Sequence, residues 1–168
     1  MLRCFWNGLR SLQRLLAPLF RHKEIIAPLF EQQSDPAANY MAAFTAPDPY
    51  DIDAYMQKWL GVLDNPKIAM WSIYCDTVLL GSVLVYRMDG EPQLSYWIGK
   101  PFWGMGIATR AVELLSAQFT ERPLYASAAE DNLGSRTVLV TFGFQSLRTE
   151  IGYANARKAD IAEVIYRL

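Results

Sequence analysis

The stretch from Leu94 to Ala129 limits the possible folds more than any other part of the chain. An apolar run leads into a tight turn at Gly104 and Gly106, and the apolar period then changes to Ile107, Ala111, Leu114, Leu115 and Phe119, ending before Pro123. Leu124 to Ala129 is extended in pattern again. Strand, helix and strand in that order predict a parallel pair joined by a crossover helix. Upstream, residues 68 to 75 and 78 to 87 are rich in Ile, Val, Tyr and Leu and flank Asp76-Thr77, and Met88-Asp89-Gly90-Glu91-Pro92 turns the chain into Gln93 to Gly99. These predict three antiparallel strands. Asp48 followed by Pro49 predicts a helix start, an N-cap and then proline at the first helical position. Ile52, Tyr55, Met56, Trp59, Leu60 and Leu63 continue that helix to Asn65-Pro66. A second short helix is predicted over Ser135 to Phe142, stopped by Gly143 as a left-handed C-cap, and a last extended stretch over Glu163 to Leu168. The prediction is a mixed sheet with helices.

Composition adds limits. A chain of 168 residues, 52% apolar and 20% charged, is expected to be a single globular domain over residues 1–168 that folds without metal or disulfide staples. Sixteen basic and seventeen acidic residues leave a net charge of -1, which gives no global field for nucleic acid or anionic lipid. Cys4, Cys75 and His22 supply neither a disulfide framework nor zinc-finger spacing, and fit a reduced compartment. Residues 1 to 23 carry Arg3, Arg10, Arg14, Arg21 and Lys23 and no acid, with Leu2, Phe5, Trp6, Leu9, Leu12, Leu16 and Leu19 at helical spacing. That stripe describes a transit peptide, a membrane-surface helix or an element packed on the core, and residues 1–12 are left as a basic extension. No signal-peptide cleavage pattern and no uncharged run of about 18 residues is present. A cytoplasmic protein without a membrane span is expected.

Gly104 and Gly106 allow successive backbone N–H groups to point at one oxyanion from the positive end of the following helix. The plainer reading is a chain-turning Gly-x-Gly. Position 109 is Thr rather than the third glycine of a dinucleotide fingerprint, and no Gly-Lys-Ser/Thr follows, so the NAD and ATP motifs both fail.

The segment Trp103-Gly104-Met105-Gly106-Ile107-Ala108-Thr109 resembles the pyrophosphate loop of the GNAT N-acetyltransferases, Gln/Arg-x-x-Gly-x-Gly/Ala, with tryptophan in place of Gln/Arg. It is similar to the loop of the ribosomal-protein N-terminal acetyltransferases, commonly Trp-Gly-x-Gly-x-Ala-Thr. A second block, Asp131-Asn132-Leu133-Gly134-Ser135-Arg136 with Phe142-Gly143-Phe144, is similar to the family's Asn-x-x-Ser and helix-ending Gly-Phe. The resemblance spans about residues 12 to 168 and implies a mixed, mostly antiparallel sheet of six or seven strands. One parallel pair would be splayed at its centre, with helices on both faces. It also implies a first strand near Gln13 to Leu19, where apolar spacing equally allows helix, and a helix from Glu24 to Gln33.

The same resemblance implies acetyl-CoA as co-substrate and no metal. Residues Trp103 to Thr109 would bind the diphosphate, backbone groups of Trp97 and Ile98 and the Asn132 side chain would hold the pantetheine arm, and Arg136 or Arg110 would reach phosphates. A neutral amine would attack the thioester, a backbone N–H such as that of Ile98 would meet the oxyanion, and Ser135 would meet the leaving sulfur. Ser135 as a simple N-cap is the plainer alternative. Relatives often carry a glutamate at the position of Gln93 and an acid tyrosine at that of Leu139. Glu91, on the same strand face as Gln93 if the strand extends that far, is the candidate base through water, or else a turn carboxylate. An α-amino group, pKa about 8, needs less help than a lysine amine near about 10.4. The acceptor is then a protein N-terminus or a small-molecule amine, and the protein a monomer or homodimer. The competing reading is a non-catalytic CoA or acyl-CoA sensor of the same fold. Residues Asn39 to Phe44, Tyr50 and Trp59 would roof an acceptor pocket or simply be core. Cys75 as an acyl-accepting nucleophile is set aside, because its strand is a core strand and the single histidine is remote in sequence.

Overall fold

The computed structural model describes residues 16–18 and 23–168. Its sheet has seven strands in the order β1-β2-β3-β4-β5-β7-β6. β1 (Leu16–Pro18), β2 (Ala69–Cys75), β3 (Val78–Met88) and β4 (Glu91–Ile98) run antiparallel in sequence order. β5 (Tyr125–Ala129) joins β4 in parallel through one residue pair, Gln93 with Tyr125. β7 (Ala159–Arg167) pairs antiparallel with β5, and β6 (Gln145–Ala154) pairs with β7 at the edge. The mostly antiparallel sheet with one parallel pair is the expected fold class, and the strand at residues 16–18 resolves the choice left open there.

A 3-10 turn (Lys23–Ile25) leads into α1 (Ile26–Gln33), followed by α2 (Pro36–Ala42) and α3 (Ile52–Asp64). α4 (Ile107–Gln118) is the crossover between β4 and β5, and α5 (Leu133–Phe142) follows β5. Helices cover both faces. On one face Ile107, Ala111, Val112 and Leu115 of α4 and Leu139 of α5 pack on Val83, Leu94, Ile98 and Val164. On the other, Ile26 and Leu29 of α1 and Trp59 of α3 pack with Met70. Burial of these side chains, each worth about 1.5–3 kcal/mol, fixes which face of β4 each residue shows. Leu94, Tyr96 and Ile98 turn to α4 and α5, and by strand alternation Glu91, Gln93, Ser95 and Trp97 turn to the opposite face.

Several boundaries differ from expectation. The helix expected from Asp48-Pro49 begins at Ile52, with Asp51 as N-cap accepting from Ala54 N at 2.9 Å. Asp48 instead accepts from Tyr50 N and closes a local turn. β3 and β4 meet in a two-residue hairpin at Asp89-Gly90, both with positive φ, so Glu91 lies within β4 rather than in a turn. α5 starts at Leu133, and its N-cap is Asn132, whose Oδ1 accepts from Ser135 N at 3.1 Å, so the plain N-cap reading of Ser135 is wrong. β6 lies outside the extended stretches that the sequence pattern predicts. Gly143, at φ 106, is the left-handed C-cap expected. Cys75 is disulfide-bonded, so its sulfur is no free nucleophile and the reduced compartment expected from the cysteine count does not follow. Among the described residues no helix is long and apolar enough to cross a membrane. The basic extension at residues 1–12 lies outside the described residues.

Candidate active site

Because β4 and β5 share one residue pair, the strands part beyond Gln93 and Tyr125 and leave an opening through the sheet. A cavity of about 1570 Å³ runs through it, from the turn after β4 to the face covered by α2 and α3. Trp103, Gly104, Met105, Gly106, Ile107, Ala108 and Thr109 all line its mouth. Gly104 and Gly106 both have φ of 73°, a left-handed conformation that suits glycine, and a Cβ on either would meet nothing within 4 Å. Backbone conformation, not lack of room, requires glycine there, and the open space faces the N-terminus of α4. Gly106 is the N-cap of α4, which no side chain caps.

Gly99 N donates to Leu80 O across the β3 edge, so alternation turns the N–H and C=O of Ile98 toward the opening. That carbonyl accepts from the Trp103 indole Nε1 at 2.7 Å. Trp103 therefore braces the end of β4 against the glycine turn. Trp97 departs from expectation: its carbonyl lies against Gly81 of β3, where an added Cβ would sit 1.9 Å away. Of the two residues, it is Ile98 whose backbone faces the opening.

At the inner end Ser135, in the first turn of α5, lies against Tyr96 of β4. The two hydroxyls are 2.7 Å apart, and the single phenol hydrogen has two acceptors in reach, Ser135 Oγ and Ser135 O at 3.1 Å. Burial pushes the Tyr96 phenol up to about 12, only partly offset by its hydrogen bond to Ser135, so the phenol is neutral at physiological pH. Tyr96 is not among the site residues that the sequence points to. Strand alternation with Leu94 and Ile98 places it on the α5 side, but its partner is 39 residues away and no local spacing announces the pair.

The remaining expected residues are distributed as follows. Asn132 caps α5 through Oδ1 and ties α2 to it by donating from Nδ2 to Met41 O at 3.0 Å. Arg136 does not face the cavity: its Nε donates to the Tyr166 hydroxyl at 2.9 Å and an Nη to Glu130 O at 2.6 Å, so it serves the α5–β7 contact. Arg110 pairs with Glu113 along α4 at 2.5 Å. Glu91 lines the cavity but is exposed, at the hairpin end of β4 where the strands are still paired. Leu139 is fully buried in the core. Met41, Phe44 and Trp59 do line the far side of the cavity. Among the described residues no group of three or more His, Cys, Asp or Glu could hold a metal.

A sheet opened at its one parallel pair, with left-handed glycines at the mouth of the opening, is built to receive an elongated ligand carrying anionic groups at one end. The chain belongs to the GNAT acetyltransferase family: the family model described as an acetyltransferase (GNAT) domain matches residues 14–145. No curated protein sequence matches it significantly. Solved structures share the fold. An N-acetyltransferase from Staphylococcus aureus has a TM-score of 0.77 at 17% identity, over 91% of this chain and 97% of that one. The microcin self-immunity acetyltransferase MccE, in complex with acetyl-CoA and AMP, gives 0.76 at 18% identity over 92% of each chain. RimJ of Mycobacterium smegmatis, in complex with CoA-disulfide, gives 0.70 at 16%, over 91% of this chain and 80% of that one.

Proposed function

We propose that this chain is a single-domain N-acetyltransferase that transfers acetyl from acetyl-CoA directly to a primary amine, a protein N-terminus or a small-molecule amine. One observation carries the reading: the left-handed glycine turn at Gly104 and Gly106 opens onto the cavity between β4 and β5. Family membership and the acetyl-CoA and CoA complexes of similar folds support it. The amides from Trp103 to Thr109 bind the diphosphate at the positive end of α4. The pantetheine arm lies between β4 and β5, where its amides take the place of the missing ladder bonds and the Ile98 N–H faces them. Asn132 fixes the start of α5 and offers its second amide hydrogen to the arm.

In this mechanism the amine attacks the thioester carbon, the oxyanion is met by the Ile98 N–H, and the C–S bond breaks. Ser135 Oγ hydrogen-bonds the departing sulfur. When Tyr96 donates to Ser135 Oγ, the serine's own hydrogen is free for the thiolate, so Tyr96 is a positioning residue. The test is release of free thiol from acetyl-CoA in the presence of tripeptides with free N-termini, spermidine or kanamycin. Thiol release with at least one acceptor is expected. Gly104→Val and Gly106→Val should each weaken coenzyme binding about tenfold or more, since strain of about 1–2 kcal/mol accompanies a side chain in the diphosphate's space. Unchanged coenzyme affinity in both variants overturns the reading. Tight CoA binding without thiol release across the panel identifies a coenzyme-binding module instead.

A further inference from the structure

We infer that Glu163 of β7 is the base that takes the proton from the attacking amine, a task the amide of Gln93 cannot perform; this rests on the transferase reading above. On β7, Val164 and Tyr166 are buried in the core beneath α4 and α5. Alternation therefore turns Glu163 and Ile165 to the opposite face, and both line the cavity there. Glu163 pairs with Ala129, the last residue of β5. Counting along the parallel strands from Gln93 and Tyr125, Ala129 is level with Trp97. Glu163 thus stands one strand away from the widened part of the opening, on the face where α2 and α3 enclose the acceptor side.

The other carboxylates that line the cavity are poorly suited. Asp51 is spent as the cap of α3 and Asp48 in a turn. Asp89 and Glu91 sit at the exposed hairpin end, and Glu150 is exposed and ion-paired with Arg148. Glu163 alone among them is half-buried, and its carboxylate makes no hydrogen bond or ion pair with the described residues. Besides these carboxylates, the charged and titratable groups on that face are Tyr86 of β3, Tyr125 of β5, Arg148 of β6, and Tyr55 and Lys58 of α3 across the cavity. Tyr86 senses the carboxylate: burial raises its phenol and the charge of Glu163 raises it further.

The step balances without a further reactant. The ammonium R–NH3+ gives one proton to the Glu163 carboxylate, the amine lone pair forms the C–N bond, and the thioester π pair moves to oxygen. Collapse breaks the C–S bond, and the nitrogen's second proton and the thiolate end as CoA–SH. The Glu163 carboxylic acid then releases its proton to solvent.

The experiment is Glu163→Gln against wild type with the fastest tripeptide acceptor, following kcat/KM from pH 6 to pH 10 and CoA affinity by titration. Near pH 7 the variant should lose about 10²-fold or more in kcat/KM with CoA affinity unchanged. The deficit should narrow as pH rises through the acceptor's own pKa, about 8 for an α-amino group, because free amine then needs no base. Glu163→Asp should recover part of the rate, and it carries the same pH comparison if Glu163→Gln fails to fold. A variant as active as wild type at every pH, or a deficit of equal size at every pH, overturns the inference and leaves the transferase reading standing. Wild-type protein that binds CoA yet releases no thiol with any acceptor overturns both.

Discussion

Tyr96→Phe keeps the ring in the core and removes only the hydroxyl that meets Ser135 Oγ at 2.7 Å. On the proposed mechanism kcat should fall by about tenfold, the size of one lost hydrogen bond of about 1–1.5 kcal/mol, while KM for acetyl-CoA stays unchanged. Equal losses in both parameters would instead mark a disturbed coenzyme site. The phenol has a second readout. Its pKa rises from 10.0 to about 12 on folding, so the neutral form is favoured in the native state. Its stabilisation is fully present below about 10 and is lost as pH climbs toward about 12, so Tyr96→Phe should flatten the fall of the denaturation midpoint across that window. Ser135 was singled out by resemblance, because Asn132 to Ser135 repeat the family's Asn-x-x-Ser. Tyr96 was not, because its role depends on where α5 crosses a strand 39 residues earlier. Glu163 was hidden for a similar reason: within the extended run at the end of the chain, only strand order places it beside β5.

At the scale of elements, the same two-residue signature starts a helix in one place and not in another. Asp-Pro begins α2, where Asp35 accepts from Ala37 N and Ala38 N, yet at Asp48-Pro49 it makes only a turn, because Asp51 three residues on caps Ala54 N instead. β6 carries no pattern, since nearly every residue from Gln145 to Tyr153 is exposed at the sheet edge and none alternates into a core. What holds α2 in place is equally nonlocal. Arg157, in the β6–β7 turn, donates to Tyr40 O at 3.1 Å, pairs with Asp131 at 2.6 Å and lies 4.5 Å from the Tyr40 ring centre, with 9% of its side chain exposed. It clamps a wall of the cavity to the loop before α5. Arg157→Met keeps the aliphatic packing but removes these bonds, and should cost about 1–3 kcal/mol, read as a lower denaturant midpoint. KM for the amine should rise more than KM for acetyl-CoA, because α2 borders the acceptor side; the reverse order would mean that the clamp serves the coenzyme end.

Across the whole molecule the two larger apolar clusters among the described residues lie on opposite faces of one sheet, and the β4–β5 opening is a seam between halves of that sheet. The sequence pattern implies the parallel pair, because a crossover helix leaves no alternative, but how soon the strands part depends on register, here a single residue pair. A seam of this kind leaves backbone groups short of partners, so the coenzyme would act as an additional strand that completes the sheet. Stabilisation follows from binding to the native state alone: CoA at one hundred times its dissociation constant adds about 2.7 kcal/mol, a rise in Tm of about 5–10 °C for a chain of this size. The distribution of that gain is the sharper test. Hydrogen exchange should slow at amides 94, 96 and 98 of β4 and 127 and 129 of β5, which face the seam, and at amides 104–109 of the glycine turn. Amides of the β2–β3 ladder, already paired across their length, should gain little beyond the global increase. A rise in Tm with protection spread evenly over all strands would place the coenzyme outside the seam, and the strand-replacement model would fail although binding itself stood.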